Sequence, residues 1–268
     1  MYTVEEIKEK IKSGEWTEAD VKLIIADLQE SSDLAAHISE IYFTSYGVFV
    51  YNYRECVHPM IAICQEAKLL LGPSKEKSLI YLALVRLYFC MGFLPKVVEY
   101  SLKYAGSGYT LRDNLKSVYN TLVAAFTDCG LYKEADIYLE KMMDISRLDP
   151  CGPDKDFWSS DVMNEFVYYD SKVYVMLGMG RRREAEQASW DSGRLLMQEG
   201  IPEEGRSFFR LQKECTDMYL RMYQSEDSPE IAEEFNGYMR RMESGEIKVD
   251  SLNFCIRYFA ELLQVMAK

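Results

Sequence analysis

The sequence predicts an all-α protein built as a helical solenoid, and three observations predict it. Apolar residues recur at helical spacing along nearly the whole chain, and no alternating, strand-like run occurs. The 7 Pro and 15 Gly read as punctuation between helical stretches rather than residues inside them. A glycine-centred segment recurs, with Gly92 and Gly130 38 residues apart. A self-similar period of roughly 20–50 residues marks a repeat array.

The elements follow in order. Thr3-x-x-Glu6 reads as a capping box that opens a first short helix, and Ser13-Gly14 closes it. Thr17 caps a second helix, with Val21, Ile24, Ile25 and Leu28 at helical spacing. A weak first helix pair spans Ile38 to Leu71. The stretch Leu79 to Leu94 is apolar on all sides but short and interrupted by Arg86, so it reads as a buried helix rather than a membrane span of ~20 residues. Its helix ends at Met91-Gly92 and the next starts after Pro95. The same layout recurs around Cys129-Gly130 with a restart near Lys133, and around Gly180. Further helices are expected near 203–224, 229–243 and 250–267, the second of them opened by Ser228-Pro229.

Three segments resemble one another when aligned on their glycine. They are PheCysMetGlyPheLeuProLysValValGluTyr, ThrAspCysGlyLeuTyrLysGluAlaAspIleTyr and MetLeuGlyMetGlyArgArgArgGluAlaGluGlnAla. They are similar to tetratricopeptide (TPR) repeats, over roughly Leu34 to Gln198. In the best copy the family pattern falls on Leu122, Val123, Phe126, Gly130, Tyr132, Ala135, Leu139 and Met142. The copies are longer than the family's 34 residues and uneven, the gap from Gly130 to Gly180 being 50, and Val97 and Val57 stand where the small Ala135 stands in the best copy. The resemblance implies a right-handed α–α superhelix, TPR-like, of about 13 helices. It divides the chain into capping helices over 1–32, degenerate repeats over 33–199, and divergent repeats or a cap over 200–268.

Composition narrows the function. The 268 residues carry 31 Lys+Arg against 43 Asp+Glu, a formal net charge of -12. That sign opposes direct nucleic-acid binding. At 48% hydrophobic residues the chain can bury a core. The 7 cysteines form no Cys-x-x-Cys pair and suit a reducing cytoplasm as small buried hydrophobes. No basic, apolar leader opens the sequence and no Asn-x-Ser/Thr acceptor occurs. Soluble, cytoplasmic and non-membrane is the expectation.

Catalytic and metal-binding patterns are weak. Cys56-x-His58 with Cys64 matches no zinc spacing, and His37 sits among Ala35, Ala36 and Ile38 as a structural histidine would. Phosphate-cradling glycine loops and Gly-x-Ser-x-Gly elbows are absent from the sequence. Acidic pairs such as Glu5-Glu6 and Glu203-Glu204 sit where carboxylates favour a helix dipole. Arg181-Arg182-Arg183 lies in a turn after a helix end, where cations are favourable without any ligand. No enzyme activity, metal or cofactor is expected.

In the family the first helix of each pair lines a concave groove, so the resemblance implies a partner-binding surface of Tyr42, Tyr46, Phe49, Arg86, Phe89, Asn120, Thr127, Asp128, Asp170 and Tyr174. The same aromatics at helical spacing can instead pack between helices. The Lys and Asn set that clamps a peptide's terminal carboxylate in some family members is not seen. The expected function is a non-enzymatic module binding a protein or peptide, in layout similar to the sensor regions ahead of bacterial diguanylate cyclases. The alternatives are a peptide-responsive transcription regulator lacking its DNA-binding domain and a free-standing adaptor. Leu252, Ile256, Phe259, Leu262, Leu263 and Met266 form an apolar stripe that either makes a homodimer through the C-terminal helix or packs onto its neighbour.

Overall fold

A computed structural model describes residues 2–44, 53–148, 160–224 and scattered positions between 230 and 244. All regular structure among the described residues is helical, in eleven helices. They fall into two compact units, Met1–Ala125 and Phe126–Lys268. The expected thirteenth helix, near 250–267, lies outside the described residues with its apolar stripe.

The first unit holds α1 (Val4–Ser13), α2 (Glu18–Glu30), α3 (Ser32–Thr44), α4 (Tyr53–Leu70), α5 (Lys75–Cys90), α6 (Leu94–Ala105) and most of α7 (Arg112–Asp128). Thr3 and Glu6 form the expected capping box, and Gly14 ends α1 at φ 72°. Thr17 caps α2 with Asp20 as reciprocal partner, whose carboxylate is held well below its usual range by hydrogen bonds from Tyr2, Thr17 and Lys10. The core is built where α3, α4, α5 and α6 meet, from Ile38, Ile41, Met60, Ile63, Ile80, Leu84 and Leu87 among others. Helix α5 is buried on most of its circumference, as its all-round apolar sequence requires.

The second unit holds α8 (Tyr132–Leu148), α9 (Asp161–Gly178), α10 (Arg182–Leu195) and α11 (Glu203–Gln224). Helix α9 is its centre and packs against the other three. The stacked rings of Phe166 and Phe209, 4.0 Å apart, join α9 to α11.

One expectation needs correction. Proline and glycine are not confined to the breaks. Pro59 lies inside α4, and Gly178 and Gly193 lie within α9 and α10. Packing overrides propensity there. Gly178 is required because a Cβ on it would fall 2.1 Å from the Tyr132 ring.

The repeated turns share one geometry. Gly92, Gly130 and Gly180 adopt φ 65°, 71° and 71°. At each, the residue after glycine donates its N–H five residues back, Phe93 to Tyr88, Leu131 to Phe126 and Arg181 to Met176, at 3.0, 2.8 and 2.8 Å. The glycine N–H reaches three residues back, to Phe89, Thr127 and Leu177. This is a Schellman end, and glycine supplies its left-handed residue without steric cost. The second helix then starts two residues after each glycine, at Leu94, Tyr132 and Arg182. Val97, Ala135 and Ala185, each five residues past the glycine, are all fully buried.

Candidate functional site

In the first unit, α3 and α5 pack against each other, and with them some of the residues expected at the groove. Tyr42 is not on its surface. It is 1% exposed, with its ring edge-on to Phe43 at 5.1 Å. A step of one residue turns a helix by about 100°, so the neighbour Phe43 takes the boundary position instead. The Arg86 guanidinium lies over the Phe43 ring, 5.3 Å from its centroid. Phe89, one turn further along α5, is half-buried against the same core. Asn120 is half-buried on α7. Tyr46 and Phe49 lie outside the described residues. Phe43 was missed because the apolar run Ile41-Tyr42-Phe43 offers no charge to fix its register.

The second unit places Asp170 and Tyr174 differently. Both are buried, at 4% and 6% exposure, because α11 packs over this face of α9. Asp170 accepts a hydrogen bond from Nε2 of Gln212 at 2.8 Å and another from the Thr216 hydroxyl. Thr216 also lies 3.1 Å from the Tyr174 hydroxyl, and the Tyr174 and Tyr219 rings approach to 4.6 Å. Burial pushes the Asp170 carboxyl up to about 6, partly offset by Thr216, Gln212 and Lys213. The same burial raises the Tyr174 phenol well above its ordinary value. These two residues therefore bond α9 to α11 rather than lining an open groove.

Gln212 and Thr216 went unnoticed in the sequence. The signal was there, since they stand one turn apart on the same stripe as Phe209 and Cys215, where an apolar face is interrupted by polar groups. Near the start of the same unit, Thr127 is half-buried and Asp128 is exposed. Burial, then the neighbouring Tyr132, Tyr223 and Asp128, push the Tyr219 phenol up to about 12.

Other candidates are accounted for by local partners. The Arg181 guanidinium pairs with Glu184 and comes within 4.0 Å of Asp136, and Arg182 pairs with Glu186 at 2.9 Å. Cys56 and Cys64 are buried on α4, where burial pushes the Cys64 thiol up to about 12. Trp16 donates its indole N–H to Cys56 Sγ at 3.1 Å. Among the described residues no group of three or more His, Cys, Asp or Glu side chains is arranged to hold a metal ion, and no helix is long and apolar enough to cross a membrane.

Among the described residues, each unit carries an open cleft. The larger, about 810 Å³, runs along α11 and is lined by both charge signs, with Arg221 and Glu234 paired across it at 2.8 Å. The smaller, about 340 Å³, lies between the start of α5 and the end of α6. No protein-family model, curated protein or solved structure matches this chain.

Proposed function

We propose that the chain is a non-enzymatic protein- or peptide-binding module, a degenerate TPR-like array that coils as a right-handed superhelix. One observation carries this. The three glycine turns share a hydrogen-bond pattern, a helix restart at the same offset and a fully buried apolar residue at the same offset. Independent loops would have no reason to agree on all three. Arrays of paired helices present an extended face, and interaction rather than chemistry is what such faces do best.

The binding face in the first unit is the boundary of α3 and α5. Phe43, Arg86 and Phe89 offer two aromatic rings and a guanidinium, the residue types that anchor protein interfaces. In its narrower form the proposal makes the module a regulatory or sensory region of a bacterial signalling protein, with binding at the repeats relayed to an output domain. The support for that form is layout alone, repeats followed by the long α11.

Panning a random-peptide display library on the full chain tests the reading. Enriched peptides are expected to bind saturably and to lose about tenfold in affinity with Arg86→Ala combined with Phe89→Ala, as removal of an interface anchor does. A library that yields no binding peptide would falsify it.

A further inference from the structure

Within the first unit one stretch of sequence is richer in cations than in anions, although the protein as a whole is acidic. Residues 53–125 hold nine Lys and Arg against five Asp and Glu, whereas the whole chain has a net charge of -12. The small cleft between α5 and α6 lies within this stretch, and none of its ten lining residues is acidic.

Each wall supplies one lysine. Lys77, on the first turn of α5, donates to the Leu71 carbonyl at 2.7 Å. Lys103, near the end of α6, donates to Glu99 at 2.5 Å. An ammonium group has three protons, so one hydrogen bond does not exhaust either lysine, although Lys103 is ion-paired with Glu99 and also lies over the Tyr100 ring, 5.1 Å from its centroid. Ser78 and Ser107 join the walls through their hydroxyls, 2.8 Å apart. The inner wall is Tyr81, tilted against Tyr100 at 6.1 Å. At the rim Leu102 and Tyr109 are about half exposed, at 49% and 46%. The amino end of α5 is already satisfied locally. Ser74 caps it, and the Glu76 carboxylate already accepts from its own N–H.

We propose that this cleft docks an acidic peptide segment of a partner protein. A carboxylate side chain would lie between the Lys77 and Lys103 ammonium groups, and an adjacent apolar residue would cover Leu102 and Tyr109. The inference rests on the reading above that the chain is a binding module, and adds a docking site separate from the α3–α5 face. Opposite charge would also speed association and make it sensitive to salt.

The test uses the full chain and a fluorescein-labelled, capped decamer, Glu-Leu-Glu-Glu-Phe-Glu-Leu-Glu-Glu-Leu, with a second decamer carrying Lys at every Glu. Anisotropy should show binding of the Glu decamer only. The Lys77→Gln, Lys103→Gln pair should weaken it about tenfold. The Lys12→Gln, Lys22→Gln pair removes equal charge from exposed sites on α1 and α2 and should change it less than about twofold. Circular dichroism establishes that both variants remain helical, and Leu102→Ser, which leaves every charge in place, should weaken binding as well. The proposal is overturned if the Glu decamer does not bind, if the Lys decamer binds equally, or if both lysine pairs weaken binding alike. Should library panning meanwhile enrich neutral or basic peptides, the binding module stands and only this inference falls.

Discussion

Gln212 donates its side-chain amide to the buried Asp170 carboxylate at 2.8 Å, while the oxygen of that same amide is buried without a hydrogen-bond partner among the described residues. The pair links α11 to α9 at a point shut off from water. Charged, Asp170 receives two donors but has lost its hydration. Protonated, it gains a donor of its own, and a turned Gln212 amide offers the oxygen to receive it. The arrangement therefore tolerates both protonation states and favours the neutral one more than water does.

A pH dependence follows from that preference. The folded value of about 6 lies above the ordinary aspartate value of 3.8. The unfolded chain binds fewer protons between those values, so the stability from this group is fully present below about pH 4 and is lost as pH rises through 6. Lys213 and Asp217, the charged groups nearest on α11, act in opposite directions. At about 1.4 kcal/mol per pH interval, roughly 3 kcal/mol is involved. Asp170→Asn, which keeps the shape and removes the charge, is expected to raise stability at pH 7.5 by about 1–3 kcal/mol. Urea melts of the two proteins across pH 4 to 7.5 should differ by an amount that grows with pH. Glu99 acts oppositely and in a lower window, since Lys103 and Lys96 hold it down to about 2, and its contribution fades only as pH falls below its ordinary value of 4.5.

Gly178→Ala should be among the costlier single-methyl additions. The new Cβ would meet Tyr132 Cε1 at 2.1 Å, in a ring that cannot deform. Overpacking of this kind costs about 1–3 kcal/mol. In a Tyr132→Ala background the same change should be neutral or slightly stabilising, because alanine is the better helix former. Chemical denaturation of the four proteins of this cycle gives the coupling; additivity would mean the two residues do not touch.

Gly130→Ala and Gly180→Ala should each lower stability by about 1–2 kcal/mol, since both hold positive φ and nothing crowds either position. Asn at the same sites should recover part of the loss. Equal stability of the Ala and Asn variants in thermal melts would contradict the left-handed turn.

Pro59 lies inside the continuous helix α4 and supplies it no N–H. Pro59→Ala is expected to stabilise the chain by about 1–3 kcal/mol, a rise in melting temperature that calorimetry would detect. A fall would show that the surrounding core is shaped to the proline ring.

Much of this architecture was legible because it is local. The capping box at Thr3, the cap at Thr17, and the turns at Gly92, Gly130 and Gly180 depend on residues within about five positions of each other. Burial direction was less legible. Tyr42 and Phe43 differ only by a rotation about the α3 axis, and nothing between them in sequence decides which turns inward. Asp170 and Tyr174 read as groove residues because their occluding partner, α11, begins about 30 residues later and matches no repeat motif. Pro59 and Gly178 read as breaks because propensity says so, and only tertiary contact says otherwise.

If the helix pairs form a binding surface, a bound peptide should slow backbone exchange along it. The most direct measurement is hydrogen–deuterium exchange on the full chain with and without the strongest peptide from the library. Added protection is expected in α5, around Arg86 and Phe89, and in its packing partner α3. A chain for which no peptide is found, or one whose peptide leaves the exchange of α3 and α5 unchanged, would contradict it.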